Sequence, residues 1–139
     1  MPGKNRLRPL TAYIKRLIRG ESYSCKPGKQ VVFEVSDHEF EEKVVKRSLT
    51  TPVIVDFYAD WCFPCKMLSP VLEKVVSELC GRVVLAKVNV DSSPAIASMF
   101  GVMSVPTVVL IKRGKVADYF IGYRSEEEVK RWVLRHIEG

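Results

Sequence analysis

An α/β fold, with a mixed sheet covered by helices on both faces, is what three features of this 139-residue chain predict. Strand-like and helix-like patterns alternate from residue 30 to about residue 100. The run from Val53 to Ala59 is apolar except for Asp56, the composition of a strand buried on both sides. Residues 112–115, with Gly114, read as a tight turn between two further strands, so an antiparallel pair closes an otherwise mostly parallel sheet.

Apolar residues make up 47% of the chain, enough for one core without disulfide stapling. The net charge of +6 is unevenly placed: residues 1–30 hold eight Lys or Arg against one acid, Glu21, and the remainder hold fourteen against fifteen. The expected division is therefore a basic N-terminal extension, residues 1–29, and a near-neutral domain, residues 30–139. Basic side chains gathered on a folded face are not expected, which argues against nucleic-acid binding. No apolar run approaches the roughly 20 residues of a membrane span, and the N-terminus lacks the apolar core of a secretory signal. In the extension, Leu7, Leu10, Ile14, Leu17 and Ile18 suit either a short basic amphipathic helix over about 10–19 or a solvated tail. As a helix it would be a targeting segment or a docking arm for an acidic partner.

The domain's elements follow in order. Val31, Val32 and Val35 suggest a first strand, and Ser36 with Glu39 three residues later has the capping-box spacing for a helix over about 37–48. The apolar strand comes next, then a helix from the cysteine pair to about Leu79, stopped by Gly81. Pro70 inside that helix should remove one backbone hydrogen bond and bend the axis. Residues 83–90 read as a strand, 92–100 as a short helix that Pro94 starts, and the segments on either side of Gly114 as the closing strands. Ser125 followed by three glutamates, with Lys130, Arg131 and Arg135 further on, matches the cap and dipole of a last helix. Val129, Trp132, Val133 and His136 form its inner face.

Chemistry concentrates in Trp61-Cys62-Phe63-Pro64-Cys65-Lys66, placed directly after the buried strand and at the start of a helix. Cysteines three apart in a first helical turn can close and reopen a disulfide with little backbone movement. Free N–H groups and the positive end of the helix dipole favour a thiolate at Cys62, so it is the expected nucleophile. Cys65, one turn further in and more buried, is the expected resolving thiol, and Pro64 suits a turn where its missing N–H would have had no partner. Asp56, a carboxyl in a buried strand, must either hold a proton or find a cation, and Lys87 on the next strand is the candidate cation. Asp56 is thus the expected acceptor of the Cys65 proton, through water, or one half of a structural ion pair. Zinc is the rival use of such a cysteine pair, but the other candidate ligands, Cys25, Cys80, His38 and His136, are scattered. Cys25 and Cys80 read as an incidental and a packed thiol, with a regulatory disulfide as the alternative.

Over residues 31–139 the chain resembles the thioredoxin family, on Val-Asp-Phe-Tyr-Ala-Asp-Trp-Cys at 55–62, Pro-Cys-Lys at 64–66 and Ser-Val-Pro-Thr at 104–107. The resemblance implies the thioredoxin fold, disulfide reduction through a mixed disulfide, and no tightly bound cofactor. It further implies a cis peptide before Pro106, a Val105 backbone that pairs with a bound client strand, and Trp61 and Gly122 as borders of the client groove. It assigns Asp56 and Lys87 to the family's buried acid and lysine. Phe63 is the departure, since the family usually has glycine there, and this puts in question the potential, the electron donor and the range of clients.

The expected function is reduction of protein disulfides, with a flavin-dependent disulfide reductase as electron donor and the chain acting as a monomer. The cytoplasm is the first expected location and the mitochondrial matrix the second. A disulfide oxidase or isomerase of the same fold, or a thioredoxin-like binding module, are the alternatives.

Overall fold

A computed structural model describes residues 30–138. The predicted helix over about 10–19 and Cys25 lie outside the described residues. The observed elements are β1 (Val32–Glu34), an irregular helical stretch α1 (residues 37–49), β2 (Val53–Tyr58), α2 (Phe63–Glu78), β3 (Val84–Asn89), α3 (Pro94–Met99), β4 (Thr107–Lys112), β5 (Lys115–Ile121) and α4 (Glu126–Glu138). The sheet order is β1-β3-β2-β4-β5, with β1, β3 and β2 parallel to one another and β4 antiparallel to both β2 and β5. This is the mixed sheet, closed by a hairpin, that the sequence predicts.

Alternation along the strands divides the core between two faces. On one, Ile54, Leu85, Val108, Leu110 and Phe120 pack against Leu68, Leu72, Val75 and Val76 of α2 and Val129, Trp132 and Val133 of α4. On the other, Val53, Val55, Phe57, Val84, Ala86 and Val109 pack against Phe40 and Val44 of α1 and Ile96 and Ala97 of α3. Because β2 supplies both faces, its residues 53–57 are almost fully buried, which explains the unbroken apolar run.

The single helix expected over 37–48 is instead a 3-10 turn (Asp37–Glu39), a π-helical segment (Glu41–Lys46) and a second 3-10 turn (Arg47–Leu49). The predicted cap is present at its start, where Glu39 Oε1 accepts from the Ser36 N–H at 3.1 Å and from the Ser36 hydroxyl at 2.8 Å. Near its end the Ser48 hydroxyl donates back to the Val45 carbonyl at 2.6 Å, an interaction that competes with regular helix. The same hydroxyl accepts from the Gly114 N–H at 2.9 Å, which ties this stretch to the β4–β5 turn. That turn places Arg113 and Gly114 at φ +52° and +78°, the left-handed pair a two-residue hairpin requires.

Helix α2 runs through Pro70 without ending, and α4 begins as expected with Glu128 N–H donating to Ser125 Oγ at 3.3 Å. A link absent from any local pattern caps α3: Asp37 accepts from Ala95 N–H at 3.2 Å and Ile96 N–H at 2.9 Å. Cys80, half-buried at the exit of α2 with φ +50°, packs against the core as expected, but it is not a free thiol: it takes part in a disulfide, the alternative weighed for it.

Candidate active site

Strand β2 ends at Tyr58, and the chain turns through Ala59–Trp61 into α2, whose N-cap is Cys62. Pro64 occupies the first turn and Cys65 the third helical position, and the two cysteines are joined in a disulfide with Cα atoms 5.3 Å apart. Cys62 Sγ accepts the Cys65 N–H at 3.2 Å and lies 3.6 Å from the Val105 carbonyl oxygen. In this bonded state both residues are nearly buried, Cys62 4% exposed and Cys65 3%. Position separates them, since Cys62 caps the helix and Cys65 lies inside it.

The Val105–Pro106 peptide, which is cis, brings Val105 against the cysteine cluster, together with Tyr58 and Val90. Gly122, after β5, donates its N–H to the Pro106 carbonyl at 2.9 Å with φ +90°, a conformation L side chains rarely adopt. The disulfide, Val105, Pro106 and Gly122 therefore converge at one end of the sheet. Around them Trp61 is 71% exposed and Phe63 70%, so two large aromatic side chains flank a nearly buried disulfide. Trp61 is held by a hydrogen bond from Nε1 to Asp91 Oδ2 at 2.9 Å.

Asp56 lies on the sheet face that α2 covers, in register with Lys87 of β3. It is 1% exposed, and neither carboxylate oxygen has a hydrogen-bond partner. Burial pushes its pKa from 3.8 up to about 7; the Lys87 charge opposes this, and Glu34 and Glu73 add to it. The ion pair with Lys87 weighed from the sequence does not form. The Lys87 ammonium instead donates to Ser69 Oγ at 2.7 Å and Glu73 Oε2 at 3.3 Å, both on α2, and stands 5.2 Å from the Tyr58 ring.

Three residues beside the site escaped the sequence reading. Asp91, which orients Trp61, gave no local signal. Ser69 and Glu73 did give one, since they follow Cys65 at steps of four along α2 and so continue its stripe.

A family model described as Thioredoxin matches residues 31–135. The chain is similar to "Thioredoxin" of Rickettsia bellii, 41% identical over 103 residues, which are 74% of this chain and 96% of the relative. It is similar to "Thioredoxin" of Haemophilus influenzae, 39% identical over 106 residues, 76% of this chain and 97% of the relative. "Thioredoxin, mitochondrial" of Mus musculus is 43% identical over 106 residues, 76% of this chain and 63% of the relative.

Proposed function

The chain belongs to the thioredoxin family and is a protein-disulfide reductase acting by thiol–disulfide exchange, and from that premise we propose the roles of its residues. Cys62 is the attacking thiolate. It breaks a client's S–S bond, forms a mixed disulfide with one client sulfur and releases the other as a thiolate. Cys65 then attacks Cys62 Sγ, giving its proton to the Asp56 carboxylate as the second client sulfur leaves. The client is reduced by two electrons and the Cys62–Cys65 disulfide carries the oxidation.

The observation that carries this reading is the capping geometry, with Cys62 Sγ 3.2 Å from the Cys65 N–H at the positive end of α2. Asp56, with a pKa near neutrality, suits proton exchange at physiological pH, because a general base works best when its pKa is close to the operating pH. Lys87 tempers the charge of that site. Val105 offers its backbone to an extended client segment, and Trp61, Phe63, Pro64, Pro106 and Gly122 border the groove.

In this reading residues 30–139 are the redox domain, residues 1–29 an extension of it, and the chain works as a monomer. A flavin-dependent disulfide reductase returns the electrons. A reducing compartment is required, the cytoplasm first and the mitochondrial matrix second, the latter favoured by the acid-poor basic extension and by the mouse relative's name. Among the described residues no helix is long and apolar enough to cross a membrane.

Insulin reduction with dithiothreitol tests the assignment. Wild type is expected to accelerate precipitation and Cys62→Ser to lose that effect, while Cys65→Ser accumulates mixed disulfides with clients and with the donor reductase. Equal rates for wild type and Cys62→Ser would overturn the nucleophile assignment. A reduction potential near about −270 mV supports net reduction, whereas one near about −120 to −180 mV would favour an oxidase or isomerase role.

A further inference from the structure

Asp56 and Lys87 are paired across neighbouring strands, yet their charges do not meet. The lysine is turned toward α2, where Ser69 Oγ and Glu73 Oε2 accept from it at 2.7 and 3.3 Å, and where the Ser69 hydroxyl also donates to Glu73 Oε2 at 2.9 Å. This triad is partly sheltered, with the Lys87 side chain 18% exposed and Glu73 44%. The groups charged toward Asp56 are Lys87 from β3, Glu34 from β1 and Glu73 from α2, while β4 presents Val108 opposite it.

We propose that Ser69 and Glu73 are positioning residues for the exchange reaction: they retain the Lys87 ammonium on α2 and so keep the Asp56 carboxyl unpaired and able to take the Cys65 proton. The proposal rests on the reading of Asp56 as that acceptor. Paired strands stand about 4.8 Å apart, so a lysine released from α2 reaches the neighbouring carboxylate by side-chain rotation alone. Paired with an ammonium, the carboxylate would stay ionised well below neutral pH and become a weaker base. The stripe Cys65, Ser69, Glu73 thus carries both the resolving thiol and the groups that hold the lysine away from its proton acceptor.

The test isolates the resolving step. Reduced protein is mixed with a limiting chromogenic aryl disulfide, and release of the second aryl thiolate, which reports attack by Cys65, is followed from about pH 5 to pH 9. In Glu73→Gln the midpoint of the pH dependence is expected to fall by about one pH unit, and in Ser69→Ala to fall by less. With Lys87→Gln already present, Glu73→Gln is expected to move the midpoint less than half as far. A loss of structure alone would not give a shift that depends on Lys87.

An unmoved midpoint removes the residue concerned from the role, and a full shift in the Lys87→Gln background overturns the route through the lysine. In both cases Asp56 stands as acceptor provided that Asp56→Asn still slows the second release. If Asp56→Asn leaves the pH dependence unchanged, the acceptor reading and this proposal fall together.

Discussion

The sulfur of Cys62 caps the helix that contains Cys65, with the Cys65 N–H 3.2 Å from Cys62 Sγ. On reduction the same N–H and the helix dipole face a sulfur free to ionise, whereas Cys65 has no such position. The Cys62 thiol is expected to titrate below the ordinary thiol range, and to alkylate at pH 7 several-fold faster than Cys65. Iodoacetamide labelling of the reduced chain, read by peptide mapping across pH, checks this. Equal labelling of the two cysteines would mean that the capping bond has no influence on reactivity.

Asp56 predicts a dependence of stability on pH. Its pKa is raised from 3.8 to about 7 by burial, so between these values the folded state binds a proton that the unfolded chain does not. The associated stability is fully present below pH 3.8 and is lost as pH rises through about 7. Urea unfolding of the oxidised protein is expected to give a free energy roughly 2–4 kcal/mol lower at pH 8 than at pH 5. In Asp56→Asn that decline should be flattened, because no charge is then forced into the sheet. A wild-type decline that survives in Asp56→Asn would have to come from another group.

Much of this site was legible from residue pattern. The apolar run of β2 gave its double burial, the cysteine spacing after that strand gave the redox pair, and Ser125 and Gly114 gave a cap and a turn. These are local signals, in which side-chain period or backbone conformation acts on neighbours in the chain. What the pattern did not carry is long-range: Asp91 on Trp61, Asp37 on α3, and the choice of Lys87 between Asp56 and the α2 pair depend on which elements the fold brings together. The broken geometry of α1 belongs to the same class. Ser48 serves the distant β4–β5 turn as well as its own helix, and a capping box at the start says nothing of that.

Asp118 predicts how α4 is fixed to the sheet. Its Oδ2 accepts from Trp132 Nε1 at 3.0 Å and lies 2.8 Å from His136 Nε2, while Trp132 packs edge-on against Phe120 at 4.9 Å between ring centroids. Partial burial raises the Asp118 pKa, but hydrogen bonds from the Tyr119 N–H, His136 and Trp132 outweigh it, and the net shift is downward. That contribution to stability is present above the ordinary carboxylate range and is lost as pH falls through the folded value. Asp118→Ala leaves the buried indole N–H without this acceptor and is expected to cost about 1–3 kcal/mol at pH 7. Thermal or urea unfolding measures it, and a change below about 0.5 kcal/mol would show that water replaces the carboxylate.

Phe63 separates client choice from chemistry. Its side chain is 70% exposed beside Trp61, so it buries little area within the chain and has little fold to support. Phe63→Gly is therefore expected to lower stability by no more than about 1 kcal/mol, the helix-propensity cost of glycine at an end position. A client that packs an apolar side chain on the exposed ring loses part of its binding energy in the variant, whereas a small disulfide that reaches only Cys62 does not. The expected result is a KM for insulin raised about 3- to 10-fold with little change for a small aryl disulfide, equivalent to roughly 0.7–1.4 kcal/mol of apolar burial. Because the residues between the cysteines also set the redox poise, the potential must be measured on the same variant. If both substrates slow in proportion to a changed potential, the ring acts on the sulfur chemistry and not on the client.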